Sequence, residues 1–543
     1  FRRTLSVFCA CEKLRVTEEQ DGTVGWKPKD CKKIRGILWG STSFSVGLWV
    51  GRALTPNNLT KRESWRNGQV VTQTDGAVDI IKNRDTPIGS DPCQVTNCPA
   101  CKTDGFPTIL AVSPQGLEVG RQHTIFITIR ANSANEAIIR NALQGCLGVT
   151  YTVNVTSTQN VNPKFYTLGM QITPNRQNLT SNTLNNSIVN AINDLNLTEG
   201  GVPQRAQNIL GCTPSRPGYF LRTRLDQRGN SKEYDFDIIC PNPECNLGNA
   251  KWFAGTPMGS VHNSTCPPQR HTDVNGRNIS DGNYLVDVQT PFDDGNNISE
   301  RIPIPALTVD DQVYARAPTV IVSTVDKFAR PAFEPEAGVL FGNVDRYHAM
   351  FGYFRSDAGR GAPPELSGAN NFTTVPNNVP PELAIQDELH LIEGPLGSMV
   401  GIYETVNDFL FSEEQQGKIK YIASTATVRR AEEQVRAVFA RGLSLFPPHG
   451  DKINNRFFLK DEERHALDSK ESGRLYMGVC APGKGGLTPH RKIWGSLLQS
   501  TYSLRNSGVP NDEIDPFWTL TGYFNAVREL SGVQALYSQD IPA

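Results

Sequence analysis

The sequence predicts an α/β protein built on an open parallel sheet, and two neighbouring strand-to-helix units predict it. A short apolar run (Leu383, Ala384, Ile385) reads as a buried strand delivering Asp387-Glu388-Leu389-His390 to its carboxyl end, with a glycine-bounded turn at 394–397 behind it. Met399, Ile402, Tyr403, Val406, Phe409 and Leu410 then recur at helical spacing. A second short strand, 418–423, ends in Ser424-Thr425-Ala426-Thr427, after which Val428, Ala431, Val435, Val438 and Phe439 share one helical face. Polar residues at the carboxyl ends of successive strands are where such sheets hold their ligands.

From the amino end, residues 2–15 read as an amphipathic helix (Leu5, Phe8, Leu14), 44–50 as an apolar strand and the charged stretch 61–82 as helical. The Pro/Gly-rich residues 87–93 mark a change of structure. Texture then differs over 107–222: 124–129 and 165–172 alternate like strands, 134–143 suits a short helix, and the Asn-rich loop 175–186 has the composition of a disordered segment. This reads as an inserted α+β module. The β-branched run 319–322 leads into Thr324-Val325-Asp326-Lys327, and 356–381 form a Pro/Gly/Asn loop. Phe446-Pro447-Pro448 breaks the last helix and opens a linker; beyond it, strands at 474–479 and 518–524 flank a helix at 493–504.

At 543 residues and 59.8 kDa the chain exceeds what one core supports, about 250–300 residues. A net charge of −1 and a pI near 6.8 give no global basic field, which tells little against nucleic acid, since phosphates are held largely by backbone N–H groups, hydroxyls and a few cations. No apolar run approaches the roughly 20 residues that span a bilayer, and no charged-then-apolar leader opens the chain. N-x-S/T triplets at Asn58, Asn178, Asn196, Asn263, Asn278, Asn297 and Asn371 are read as a by-product of an Asn-rich composition, and a reducing cytoplasm is expected. Helical character from Phe1 and a sheet opening before Ala543 suggest a fragment of a longer protein.

Cys98-Pro-Ala-Cys101 and Cys240-Pro-Asn-Pro-Glu-Cys245 are two short-spaced pairs with proline in each turn. Such knuckles aim backbone N–H groups at thiolates, and two of them close a tetrahedral structural Zn²⁺ site. The insert accounts for their long separation; Cys93, Cys212 and Cys266 are possible substitutes, and reduced free thiols are the alternative. A closed four-cysteine site leaves no open position for zinc catalysis.

Asp-Glu-x-His followed by Ser-Thr-Ala-Thr, with Thr-Val-Asp-Lys upstream, resembles motifs II, III and Ib of superfamily 2 DExH helicases. The wording DELHLIEGPLGSMVGIYE, YIASTATVRRAEEQVRAVF, VDDQVYARAPTVIVSTVDKFA, DPFWTLTGYFNAVREL and FSVGLWVGRALTPNN is similar to the DrmA helicase branch of the DISARM phage-defence system, across 1–60 and 300–543. The resemblance implies a RecA-like parallel sheet with an inserted α+β module and a zinc knuckle, plus the start of a second RecA-like domain. Its divisions would be 1–94 and 300–442 for the first RecA-like domain, 95–106 and 223–270 for the knuckle halves, 107–222 for the insert, 443–470 for a linker and 471–543 for the second domain.

It further implies ATP and Mg²⁺ as cofactors, DNA and a DISARM subunit as partners, and no membrane. Asp387 would hold Mg²⁺ through water, and Glu388 would activate the attacking water. His390, Ser424, Thr425 and Thr427 would couple nucleotide state to nucleic acid, which Thr324, Asp326 and Lys327 would touch. Gly478-Val-Cys-Ala-Pro-Gly483-Lys484-Gly485 imitates a phosphate loop, but Gly485 stands where a magnesium-binding hydroxyl belongs, and it follows the acidic motif instead of preceding it. The phosphate-gripping lysine is therefore expected upstream, and this stretch alone is expected to hydrolyse ATP poorly. Rival readings are a catalytically incomplete motor fold that binds DNA or a partner, a Mg²⁺ nuclease, and, for the acidic tetrapeptide, a solvated turn.

Overall fold

In the computed structural model, residues 1–539 are described outside 248–301, 356–372, 449–475 and shorter stretches, among them 83–89, 131–135, 158–164, 413–418 and 426–430. The chain forms two compact units, Phe1–Leu443 and Ser444–Ala543.

Helix α1 (Arg2–Val16) buries Leu5, Cys9 and Val16, and between them an ion pair in which Arg15 donates twice to Glu12 at 2.8 Å. The strand β1 (Val46–Trp49) is buried throughout, as its unbroken apolar run requires of a sheet covered on both faces. Residues 61–82, expected to be helical, instead form a hairpin, β2 (Arg62–Arg66) and β3 (Gln69–Thr74), before the short α2 (Ala77–Lys82). Val70, Val71, Thr72 and Thr74 favour strand over the helix that the charges had suggested.

Next come β4 (Asn97–Thr103) and β5 (Phe106–Ile109), then the inserted module: β6 (His123–Arg130), α3 (Glu136–Gly145), β7 (Tyr151–Ser157), β8 (Phe165–Pro174), α4 (Ser181–Asn193) and, after the two-residue strands β9 (Thr198–Glu199) and β10 (Val202–Pro203), β11 (Ile209–Leu210). Its own strands run in the order β7-β8-β6-β11 with each pair antiparallel, a β-α-β-β-α-β unit of ferredoxin-like topology, and β5 also pairs with β6, in parallel, so that β4 and β5 extend the same sheet. Ile139, Leu143, Leu184, Ile188 and Ile192 of the two helices pack on Ile125, Ile127, Leu168, Met170 and Ile172 of the sheet. The Asn-rich stretch expected to be disordered is ordered here. Leu179 and Leu184 are fully buried, and Thr180 caps α4 by accepting the Thr183 N–H at 3.3 Å.

The hairpin β12 (Tyr219–Leu225) and β13 (Ser231–Ile238) returns the chain to the parallel sheet, which is completed by β14 (Ala306–Leu307), α5 (Asp310–Arg316) and β15 (Val320–Ser323) in the order β14-β1-β15. Gly47 lets the end of α5 approach: a Cβ there would lie 2.7 Å from Pro318 Cγ. Asp235 of β13 binds Arg316 and accepts the Gln312 amide at 2.8 Å, so hairpin and α5 share a buried polar contact. A small antiparallel sheet follows, β16 (Arg346–His348), β17 (Gly352–Phe354) and β18 (Thr373–Thr374).

The strands β19 (Leu383–Gln386) and β20 (Lys420–Ala423) pair parallel and in register, with α6 (Gly394–Ser412) between them in sequence and α7 (Ala431–Phe439) after. The strand expected to be buried is not: Leu383 is 47% and Ile385 68% exposed, because the helices cover the face of Tyr421 instead. In the second unit α8 (Leu487–Asn506), α9 (Asn511–Ile514) and α10 (Val527–Gln539) are the α-helices among the described residues, with a 3-10 turn at Asp515–Phe517. The strands expected at 474–479 and 518–524 are irregular chain where described, with Tyr476 and Tyr523 exposed. No helix of the described residues is long and apolar enough to cross a membrane.

Candidate functional site

Two loops meet at the carboxyl ends of β19 and β20. The strand ladder continues past both ends: Ser424 N donates to Gln386 O and Leu389 N to Ser424 O, each at 2.9 Å. That crossing brings Asp387 and Ser424 together, and the Ser424 hydroxyl donates to Asp387 Oδ1. The same oxygen accepts the Glu388 N–H at 3.0 Å. Glu388 sits in the left-handed region at φ +52°, a costly conformation for a non-glycine residue and one that clusters at functional sites. Its Oε2 lies 3.1 Å from His390 Nδ1, which lies 3.3 Å from Thr425 Oγ1. Nδ1 thus faces both an acid and a hydroxyl on the neighbouring loop. Both carboxylates face solvent, and the imidazole is about one-third exposed.

The loop is held from beneath. Leu389 and Ile392 are buried against Val400 of α6 and Val435, Val438 and Phe439 of α7. Gln434 of α7 donates from one amide nitrogen to Leu389 O at 3.0 Å and Ile392 O at 2.9 Å. That residue carries no motif and was not legible as part of the site. Val325 packs on the same cluster, so the Thr324–Lys327 turn adjoins the acidic loop.

Within that turn Thr324 and Asp326 are exposed, but Lys327 is not. Its side chain is 1% exposed, its ammonium binds Asp310, and it lies 5.8 Å from the Trp49 ring. The expected contact of Lys327 with a nucleic-acid backbone is therefore corrected: the charge is consumed inside the protein. Thr427 lies outside the described residues. The phosphate-loop imitation has irregular chain at 476–480 where a strand would have to lead in.

Cys98, Cys101, Cys240 and Cys245 converge, with all four sulfurs within 4.8 Å of one another. Cys98 Sγ is 3.8 Å from Cys245 Sγ, and Cys101 Sγ is 3.5 Å from Cys240 Sγ. Ala100 N–H points at Cys98 Sγ (3.5 Å), while Asn242 Nδ2 (3.6 Å) and Thr108 Oγ1 (3.2 Å) approach Cys101 Sγ. A hydrogen bond with Cys240 draws Cys101 down to about 7, whereas burial pushes Cys240 well up. Soft, closely spaced sulfurs of this kind suit a structural zinc. Cys93 is buried outside the cluster, and Cys212 and Cys266 lie outside the described residues.

No family model matches the chain. Over 245 residues, 44% of its length, it is 43% identical to the DISARM protein DrmA of Bacillus paralicheniformis, and the match covers 21% of that protein. The chain thus spans about a fifth of the length of this curated relative.

Proposed function

We propose that this chain is part of an ATP-driven superfamily 2 DNA helicase or translocase, DrmA-like and serving phage defence, in which the Asp387–His390 loop closes one edge of a RecA-like sheet. The observation that carries the reading is the pair of links between the two loops, Asp387 to Ser424 and Glu388 through His390 to Thr425. Bound Mg²⁺–ATP would supply the phosphoryl group and neutralise its charge. Asp387 fits a hydrated magnesium, since it is exposed and uses Oδ1 for the internal bonds, leaving Oδ2 to accept from metal-bound water.

Glu388, turned out of the strand direction, accepts the proton of an attacking water. His390 transmits the state of the second loop to that base: when Thr425 moves, the contact between Nδ1 and Glu388 shifts with it. Ser424 fixes the Asp387 rotamer, and Thr427 belongs to the same coupling group. Thr324 and Asp326 lie on the nucleic-acid side, with Lys327 shaping their turn from within. The four thiols hold a structural zinc, and the assembled protein works in the cytoplasm with another DISARM subunit.

In the whole protein, His390→Ala and Thr425→Val should each lower nucleic-acid-stimulated ATP turnover, with the double variant no worse than the more severe single. Losses that simply multiply, or singles that keep full stimulation, would remove the coupling role.

A further inference from the structure

We infer that the zinc is a clasp at the root of the excursion made by residues 102–239, anchoring that excursion to the parallel sheet without holding the inserted module's own fold. The inference rests on the zinc reading above and extends it. The module has its own core, made by α3 and α4 on the sheet of β6, β7 and β8. Its two ends meet without the cysteines, because Val112 N donates to Ser215 O at 2.8 Å and Gly218 N to Leu110 O at 3.0 Å.

The thiols belong to a different core, which contains Leu5 and Cys9 of α1, Val46 of β1 and Ala306 of β14. Cys98 lies in that core and Cys101 against it, ahead of Leu110 and Ala111, its last residues before the module. Cys240 and Cys245 follow Tyr219, Phe236 and Ile238, its first residues after the module; Ile304 N donates to Ile238 O at 2.7 Å beside them. Bonds of about 2.3 Å in a tetrahedron give sulfur–sulfur edges of about 3.8 Å; Cys98–Cys245 is 3.8 Å and Cys101–Cys240 3.5 Å, and all four sulfurs lie within 4.8 Å of one another. The Asn242 amide and the Thr108 hydroxyl are placed to orient the Cys101 ligand. Closing a loop this long restricts the unfolded chain far more than closing either knuckle alone. The root therefore gains most from the metal.

The test is zinc analysis of the whole protein, followed by amide hydrogen exchange on zinc-loaded and chelator-stripped samples and on Cys240→Ser. About one zinc per chain is expected, lost in Cys240→Ser and kept in Cys9→Ala, whose thiol shares the core but not the cluster. Stripping should speed exchange at Leu110, Cys245 and Ile304, whose amides donate to Thr96, Asn242 and Ile238, by roughly tenfold or more while Ile125, Met170 and Ile188 stay protected. Absence of zinc, or zinc retained by Cys240→Ser, would defeat the metal reading and the clasp with it. Zinc bound, but with root amides unmoved on stripping or module amides lost together with them, would leave the metal and overturn the clasp. Should Cys240→Ser fail to fold, the stripped wild-type protein still gives the comparison.

Discussion

Replacing Lys327 by methionine separates two roles that one motif suggests. The Lys327 side chain is 1% exposed and that of its partner Asp310 5% exposed, so removing the cation leaves a buried carboxylate without its lysine partner. Breaking one side of a buried ion pair costs about 3–5 kcal/mol. Loss of the desolvated cation 5.8 Å from the Trp49 ring adds about 2 kcal/mol. Removing both charges, with Lys327→Met and Asp310→Leu together, should restore most of that loss, because apolar replacement of a buried pair is often neutral or stabilising. Urea unfolding followed by circular dichroism reads the stability, and DNA binding measured across salt concentrations reads phosphate contacts. The reasoning fails if Lys327→Met stays within about 0.5 kcal/mol of wild type while the log–log salt slope of DNA binding falls by about 0.9, the signature of one lost phosphate contact.

Gln434→Ala removes both amide donations beneath the acidic loop, which should cost about 1–2 kcal/mol and speed exchange of the Leu391 and Ile392 amides; unchanged exchange would deny Gln434 a positioning role. Glu404 on α6 is raised from 4.5 to about 7, chiefly by burial, with the Asp408 charge adding and a hydrogen bond from Asn407 opposing. Between those values the folded state holds a proton that the unfolded state has released, so this group's contribution to stability is full at acid pH and fades as pH rises to about 7. Glu404→Gln should flatten that decline and be the more stable form at pH about 8; a decline identical to wild type would place the titration elsewhere.

The acidic and hydroxyl loops were legible because each ends a short apolar run followed by helical spacing, so local pattern and motif agree. The cysteine site was legible for a related reason: each knuckle is a local signature, and only their meeting across 139 residues is non-local. What local pattern cannot supply is strand pairing, and so the β-α-β-β-α-β order of the insert stayed hidden behind a generic α+β expectation. Composition misled twice. Charges at 61–82 obscured a hairpin's β-branched residues, and asparagines at 175–186 obscured the Leu184, Ile188 and Ile192 stripe that makes α4. Lys327 was misjudged because its partner, Asp310, belongs to another element whose packing no motif records.

The most direct measurement is ATP turnover and nucleotide affinity of the whole protein carrying Glu388→Gln. The amide is isosteric with the carboxylate but cannot take a proton from water, so hydrolysis should be abolished while ATP still binds. Turnover equal to wild type would contradict the account, because Glu388 would then not be the residue that activates the water.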